Sequence, residues 1–183
     1  MTTTNPNLKD IATKVMSGER ISKEEGLYLL KDAPLLELGN LAQQVRFKHN
    51  PNRHVTFVID TNLNYTNVCD AYCTFCAFYR TEKDSDAYTY NVEQVMEMVG
   101  QAASKGVTTV LMQGGLNPKL PLEYYKSLVS ETRKRYPQVL PHYFSAPEIK
   151  KMSQVAEMPI SEVLRRLKEA GQETMPGGGS EVL

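Results

Sequence analysis

Cysteine is scarce in this 183-residue sequence: there are three, an odd number, accompanied by only three histidines. A count so low and odd, with no apolar N-terminal signal segment, argues against a disulfide framework. No run approaches the roughly 18 apolar residues of a membrane span, and there is no low-complexity tract or internal repeat. An excess of either charge is also missing, with 21 Lys and Arg against 21 Asp and Glu. That balance removes the electrostatic case for nucleic acid or an anionic membrane, leaving a small-molecule substrate as the default partner. The expectation is a cytoplasmic protein long enough for one domain with a sizeable core.

The cysteines that are present are clustered. Cys69, Cys73 and Cys76 fall within eight residues at C-x3-C-x2-C spacing, just after an apolar run. Iron–sulfur clusters normally take four thiolates, so three would leave one iron open to another ligand. Structural zinc wants four closed Cys or His ligands; His49, His54 or His142 would have to complete the set, and none sits at finger-like spacing. Zinc and plain buried cysteine remain as alternatives, while ligand number and softness favour an iron–sulfur cluster. Such a cluster needs a reducing compartment.

Ser22 with Glu25 three residues on reads as a capping box opening a helix with Leu27, Leu29 and Leu30. Pro34 starts a second helix with Leu35, Leu38, Leu41, Ala42 and Val45, ended by the loop Arg46 to Arg53. Residues 1–54 therefore read as an N-terminal helical extension. From Val55 strands and helices alternate. Val55 to Ile59 is β-branched and aromatic, as in a buried strand. Asn91 and Gln94 cap a helix with the stripe Val92, Val95, Met96, Val99, Ala102 and Ala103, stopped by Gly106. Val107 to Met112 is a second strand. A helix from Pro121 carries Leu122, Tyr125, Val129, Thr132 and Tyr136. Val139 to Phe144 is a third strand, shortened by Pro141. A helix from Pro147 breaks near Pro159 and resumes from Ser161 through Val163, Leu164 and Leu167. Glu173 to Met175 reads as a fourth strand.

Repeated β–α units imply parallel strands with right-handed crossovers. The fold class is thus α/β, a barrel or part of one, over residues 55–183. Barrel chemistry gathers at the C-terminal ends of strands, so the cysteine loop, Gly114-Gly115, Ser145 and Gly177-Gly178-Gly179 are expected on one rim. Ser180 to Leu183 resembles a helix N-cap and first turn lacking a body. Only about four β–α units fit, where a TIM-like barrel takes about 200 to 250 residues. The expectation is a truncated, inactive chain whose open sheet edge favours aggregation.

The cysteine spacing, the aromatic before the last cysteine and Gly114-Gly115 one strand later together resemble the radical S-adenosylmethionine (SAM) superfamily. More narrowly, Ile59-Asp60-Thr61-Asn62-Leu63-Asn64-Tyr65-Thr66-Asn67-Val68-Cys69, Cys76-Ala77-Phe78-Tyr79-Arg80, Met112-Gln113-Gly114-Gly115-Leu116-Asn117-Pro118, Phe144-Ser145-Ala146-Pro147-Glu148-Ile149 and Pro176-Gly177-Gly178-Gly179 are similar to the cyclic dehypoxanthinyl futalosine synthases of menaquinone biosynthesis. The resemblance covers essentially the whole chain and matches the N-terminal half of such an enzyme. It implies a partial TIM-like (β/α) barrel of the radical SAM type. It also implies a 4Fe-4S cluster on Cys69, Cys73 and Cys76, whose fourth iron chelates S-adenosylmethionine. One electron, from a donor such as flavodoxin or ferredoxin, would cleave the sulfonium. The 5′-deoxyadenosyl radical would take the C4′ hydrogen of dehypoxanthine futalosine, and the carbon radical would close onto the benzoate ring. Aminofutalosine synthases and deazaflavin-precursor synthases share these parts, and a non-catalytic iron–sulfur or zinc module is the alternative from another class.

The same resemblance implies roles for single residues. Phe75 would lie near the adenine, against the plain reading of a packing aromatic. Gly114 and Gly115 would let backbone approach the methionyl group, against an ordinary strand-to-loop turn. Ser145 joins them as a cofactor-binding candidate. Glu148 is the catalytic candidate, assisting the final deprotonation or binding a ribose hydroxyl, although a carboxylate in a helix first turn is also simply favourable. His142 reads as a satisfied core histidine, Arg80 as a benzoate partner or an exposed cation, and Tyr65 and Tyr79 as shields of the loop.

Overall fold

The computed structural model describes residues 6–178, so Gly179 and the expected helix start at Ser180 lie outside it. Ten elements follow in order: α1 (Leu8–Ser17), α2 (Lys23–Lys31), α3 (Leu35–His49), β1 (Asp60–Leu63), α4 (Val92–Ser104), β2 (Thr109–Met112), α5 (Leu122–Arg135), β3 (Leu140–Tyr143), α6 (Ala146–Val155) and α7 (Ile160–Glu169). They divide into two compact units between Thr56 and Phe57. Among the described residues no helix is long and apolar enough to cross a membrane.

The first unit holds α1 to α3. The Ser22–Glu25 capping box forms as the spacing predicts, Ser22 Oγ accepting from Glu25 N–H at 3.2 Å and Glu25 Oε2 from Ser22 N–H at 2.6 Å. Helix α1 is an addition to the expected pair. Its ends carry ordinary signals, Asn7 Oδ1 accepting from Asp10 N–H at 3.0 Å and Gly18 turning left-handed at φ 87°. Helix α3 runs on to His49, absorbing part of the expected loop. Ile11 and Leu41 are the buried apolar residues of this unit, whereas Leu30, Leu35 and Leu36 stand exposed.

In the second unit three parallel strands lie in the order β1-β2-β3. Alternation along each strand sorts its side chains onto two faces. Val110, Met112 and Tyr143 join a core with Val95, Met96 and Val99 of α4, Tyr125, Leu128 and Val129 of α5, Ile149 and Met152 of α6, and Val163 and Leu167 of α7. The opposite face carries the row Asn62, Leu111 and His142, matched by strand register. This is the partial (β/α) barrel expected of the sequence.

Strand positions differ from expectation at both edges. The first strand is Asp60–Leu63 rather than Val55–Ile59: the register pairs Asp60 with Thr109, and the last link upstream is Thr108 N–H donating to Ile59 O at 2.8 Å. Upstream of Ile59 the apolar run has no ladder partner among the described residues, and Val55 and Phe57 are 81% and 86% exposed. The expected fourth strand reduces to a single parallel bridge, His142 to Thr174. Pro141 lies inside β3. Leu140 and Phe144 donate to the carbonyls of Thr108 and Met112, so the missing Pro141 N–H falls on the side away from β2, as suits an edge strand.

Two outcomes test this architecture. Leu128→Ala empties a fully buried position and should cost about 2–5 kcal/mol in chemical denaturation. On α7, hydrogen bonds from Arg165 and Arg166 hold the Glu162 carboxyl down at about 2, below its ordinary 4.5. A depressed carboxyl stabilises above its unfolded value and loses that contribution as pH falls through the folded one. The midpoint advantage of the wild type over Glu162→Gln should therefore be present at neutral pH and disappear as pH falls from 4.5 towards about 2.

Candidate metal centre

Strand β1 delivers the chain into a loop pinned at its root. Asn64 Nδ2 donates to Gln113 O at 2.7 Å, Cys69 N–H to Arg80 O at 3.0 Å, Arg80 N–H to Asn67 O at 2.8 Å and Asp70 N–H to Leu116 O at 3.2 Å. Arg80 Nε spans both oxygens of Asp86, 2.8 Å from each, while Nη1 donates to the carbonyls of Ala77 and Tyr79. The guanidinium is therefore committed to closing the loop. Lys151 of α6 pairs with Asp70 at 2.7 Å. Beyond the pins the loop is open: Cys73 is exposed, Cys69 and Cys76 half-buried, and Phe75 is 91% exposed. Tyr72 turns at φ 49° and meets Tyr79 edge-on at 5.9 Å.

The glycine pair after β2 is required by close packing within the protein. A Cβ on Gly115 would lie 2.1 Å from the Val68 carbonyl oxygen, and one on Gly114 would lie 2.5 Å from the Tyr65 ring. Gly115 N–H also donates to Thr66 O at 2.9 Å. The absent side chains thus let the end of β2 lie directly on the root of the cysteine loop. A Cβ on Gly178 would meet Gln113 Nε2 at 2.3 Å and Ser145 Cβ at 3.6 Å. The four expected segments therefore approach one another at the same ends of the strands.

Beneath them lies Glu148. Its Oε1 accepts from Tyr65 Oη at 2.7 Å and Gly114 N–H at 3.0 Å; its Oε2 accepts from Ser145 N–H at 2.7 Å and Ser145 Oγ at 2.6 Å. A carboxylate offers about four acceptor positions, so the protein fills all of them. Burial pushes this carboxyl above its ordinary value while the four hydrogen bonds pull it back. Burial first, then the neighbouring carboxylate, pushes the Tyr65 phenol well above its own. Tyr65, expected as a shield, is fully buried, packed edge-on against Tyr125 at 5.7 Å and Phe144 at 5.9 Å. Phe144 takes φ 60° to turn the chain from β3 into Ser145, a conformation bulky residues rarely adopt. No periodicity in the sequence marks Tyr65; only its place four residues before Cys69 does.

A cavity of about 460 Å³ opens between the loop and the glycines, lined among others by Asn62, Asn64, Cys69, Cys76, Arg80, Gly114 and Gly115. Its size falls within the range of ligand pockets. Phe75, Ser145 and Glu148 are not among its lining residues. His142 is half-buried, its Nδ1 2.8 Å from Thr174 Oγ1. Among the described residues no three histidine, cysteine or carboxylate side chains converge on one ion. The donor set fits a cluster, in which each thiolate takes its own iron and a loop open on one side leaves room for the rest.

Replacing Gly115 tests the close approach directly. Gly115→Ala sets a methyl into backbone 2.1 Å away, and should destabilise the fold by about 3 kcal/mol or more with loss of iron uptake on anaerobic reconstitution. Unchanged denaturation and iron content would contradict it.

The chain is 40% identical over 97% of its length to a cyclic dehypoxanthine futalosine synthase of Halalkalibacterium halodurans, covering 48% of that protein. It is 39% identical, again over 97%, to an aminodeoxyfutalosine synthase of Thermus thermophilus, of which it covers 48%. The chain thus spans about half the length of the curated relatives it matches. Among solved structures it is similar to the FeFe-hydrogenase maturase of Carboxydothermus hydrogenoformans, with TM-score 0.52 and 17% identity over 91% of this chain and 46% of that one. Methylornithine synthase gives TM-score 0.55 and 15% identity over 90% of this chain and 57% of its own. Residues 63–178, from the end of β1 past the Thr174 bridge, match the radical SAM superfamily, and to that superfamily this chain belongs.

Proposed function

We propose that Cys69, Cys73 and Cys76 hold a 4Fe-4S cluster, that S-adenosylmethionine binds beside it, and that the chain serves the cyclisation of dehypoxanthine futalosine on the route to menaquinone. One observation carries the reading: Cys69, Cys76, Gly114 and Gly115 face a single cavity at the C-terminal ends of parallel strands, where barrel enzymes place their chemistry. When bound, the cluster and S-adenosylmethionine supply a one-electron cleavage of the sulfonium that starts radical chemistry. The protein's own residues position and shield. The root pins and the Arg80–Asp86 clasp fix where Cys69 and Cys76 point. Asn62 and Asn64 bring amides to the cavity wall, suited to hydroxyl and carboxylate groups of a nucleoside-like substrate. Glu148 enters as the group that holds Gly114 and Ser145. A small electron-transfer protein of the flavodoxin or ferredoxin type is the proposed reductant.

The cyclase is supported by the 40% identity to a named cyclic dehypoxanthine futalosine synthase and by the wording Asn64-Tyr65-Thr66-Asn67 and Ala77-Phe78-Tyr79-Arg80. The 39% identity to an aminodeoxyfutalosine synthase favours a second reading, radical addition. The chain is also 37% identical, over 96% of its length and 48% of the relative's, to a 5-amino-6-(D-ribitylamino)uracil--L-tyrosine 4-hydroxyphenyl transferase of Methanothermobacter thermautotrophicus. Anaerobic reconstitution should give a brown protein with about four irons per chain, and each single Cys→Ser replacement should remove most of them. Dithionite and S-adenosylmethionine should then release 5′-deoxyadenosine, which a zinc module or simple electron carrier would not. Mass analysis of products from dehypoxanthine futalosine and from the addition substrate, made with enzyme of the relatives' full length, separates the two reactions.

A further inference from the structure

We infer that Tyr65 and Glu148 form a buried positioning pair that fixes Cys69 and the Gly114 amide relative to one another. The inference deepens the proposed function and rests on it where S-adenosylmethionine is concerned. Three segments, each leaving the end of a different strand, meet at one carboxylate: Tyr65 after β1, Gly114 after β2 and Ser145 after β3. A carboxylate 2% exposed, with its partner Tyr65 packed against Tyr125 and Phe144, is costly to bury unless its hydrogen bonds are complete. Here every acceptor position is taken, so moving any of the three segments leaves a buried charge short of a donor.

The path from this pair to the cysteines contains no slack. The Tyr65 ring occupies the space a Gly114 side chain would need, and the Val68 carbonyl lies where a Gly115 side chain would begin. Between them, Tyr65 O accepts from Tyr90 N–H and Thr66 O from Gly115 N–H, both at 2.9 Å. Thr66 Oγ1 accepts from Val68 N–H at 3.2 Å. Cys69 follows directly, its own N–H held by Arg80 O. Cys73 lies on the open part of the loop, outside these links. A disturbance at Tyr65 should therefore reach Cys69 and pass Cys73 by.

Tyr65→Phe in the full chain deletes one oxygen and keeps the ring. In cluster-free protein, below the denaturation transition, residue-resolved alkylation should show Cys69 reacting several-fold faster and Cys73 unchanged. In reconstituted protein, titration of the reduced cluster's electron paramagnetic resonance signal should show S-adenosylmethionine binding about tenfold more weakly, the size of one lost hydrogen bond to a charged group. Leu128→Ala serves as the control, lowering stability without selective change at Cys69. Should Tyr65→Phe fail to fold, Glu148→Asp, which withdraws the carboxylate by one methylene, carries the same two measurements. Equal acceleration at all three cysteines, or no change at Cys69 with unaltered affinity, overturns the inference. Selective acceleration at Cys69 in Tyr65→Phe, alongside a wild type whose cluster ignores S-adenosylmethionine, sustains the pair and refutes the proposed function instead.

Discussion

A carboxylate taken out of water must be met by donors or give up its charge, and the upper end of this sheet is organised around that requirement. Glu148 sits in the first turn of α6 with Tyr65, Gly114 and Ser145 turned towards it. The segments that follow β1, β2 and β3 have little chemistry in common apart from the donor each contributes. Their convergence makes the top of the sheet a single object rather than three loose ends. The cysteine loop inherits its placement from that object.

Backbone features that look costly in isolation become intelligible around it. Phe144 holds φ 60°, a strain of about 1–3 kcal/mol for a bulky residue, and the edge-on contacts of its ring with Tyr65, Tyr125 and Tyr143 keep it there. Two consecutive glycines at the end of β2 would weaken an ordinary strand exit; here they admit the Tyr65 ring on one side and the Val68 carbonyl on the other. The helices on one face supply the apolar core, so the opposite face is left for polar groups such as Asn62 and His142.

Much of this was legible beforehand. Asn91 with Gln94, Pro121 and the break at Pro159 mark helix limits that agree with α4, α5 and the α6–α7 junction, because caps and prolines act through neighbouring backbone. The rim was legible as well, since strand-end loops of a parallel sheet must share one end. Strand edges were not. Val55 to Ile59 has β-forming composition, yet pairing depends on how far β2 extends, a long-range fact. Helix α1 has local limits too, with Asn7 and Gly18 bracketing it. At the site, spacing picked out the cysteines, and Glu148 and Ser145 were picked out by resemblance. The hydrogen bond between Tyr65 and Glu148 joins residues 83 positions apart, and no local pattern carries it.

The cysteine loop is tied at both ends of its run while its middle faces solvent. The stretch between Asp70 and Tyr79 is thus the part of the loop that meets solvent, while its two ends are held to the sheet beneath. On the proposed reading, inorganic sulfide and iron would therefore reach the thiols from the solvent side without unpacking the strands.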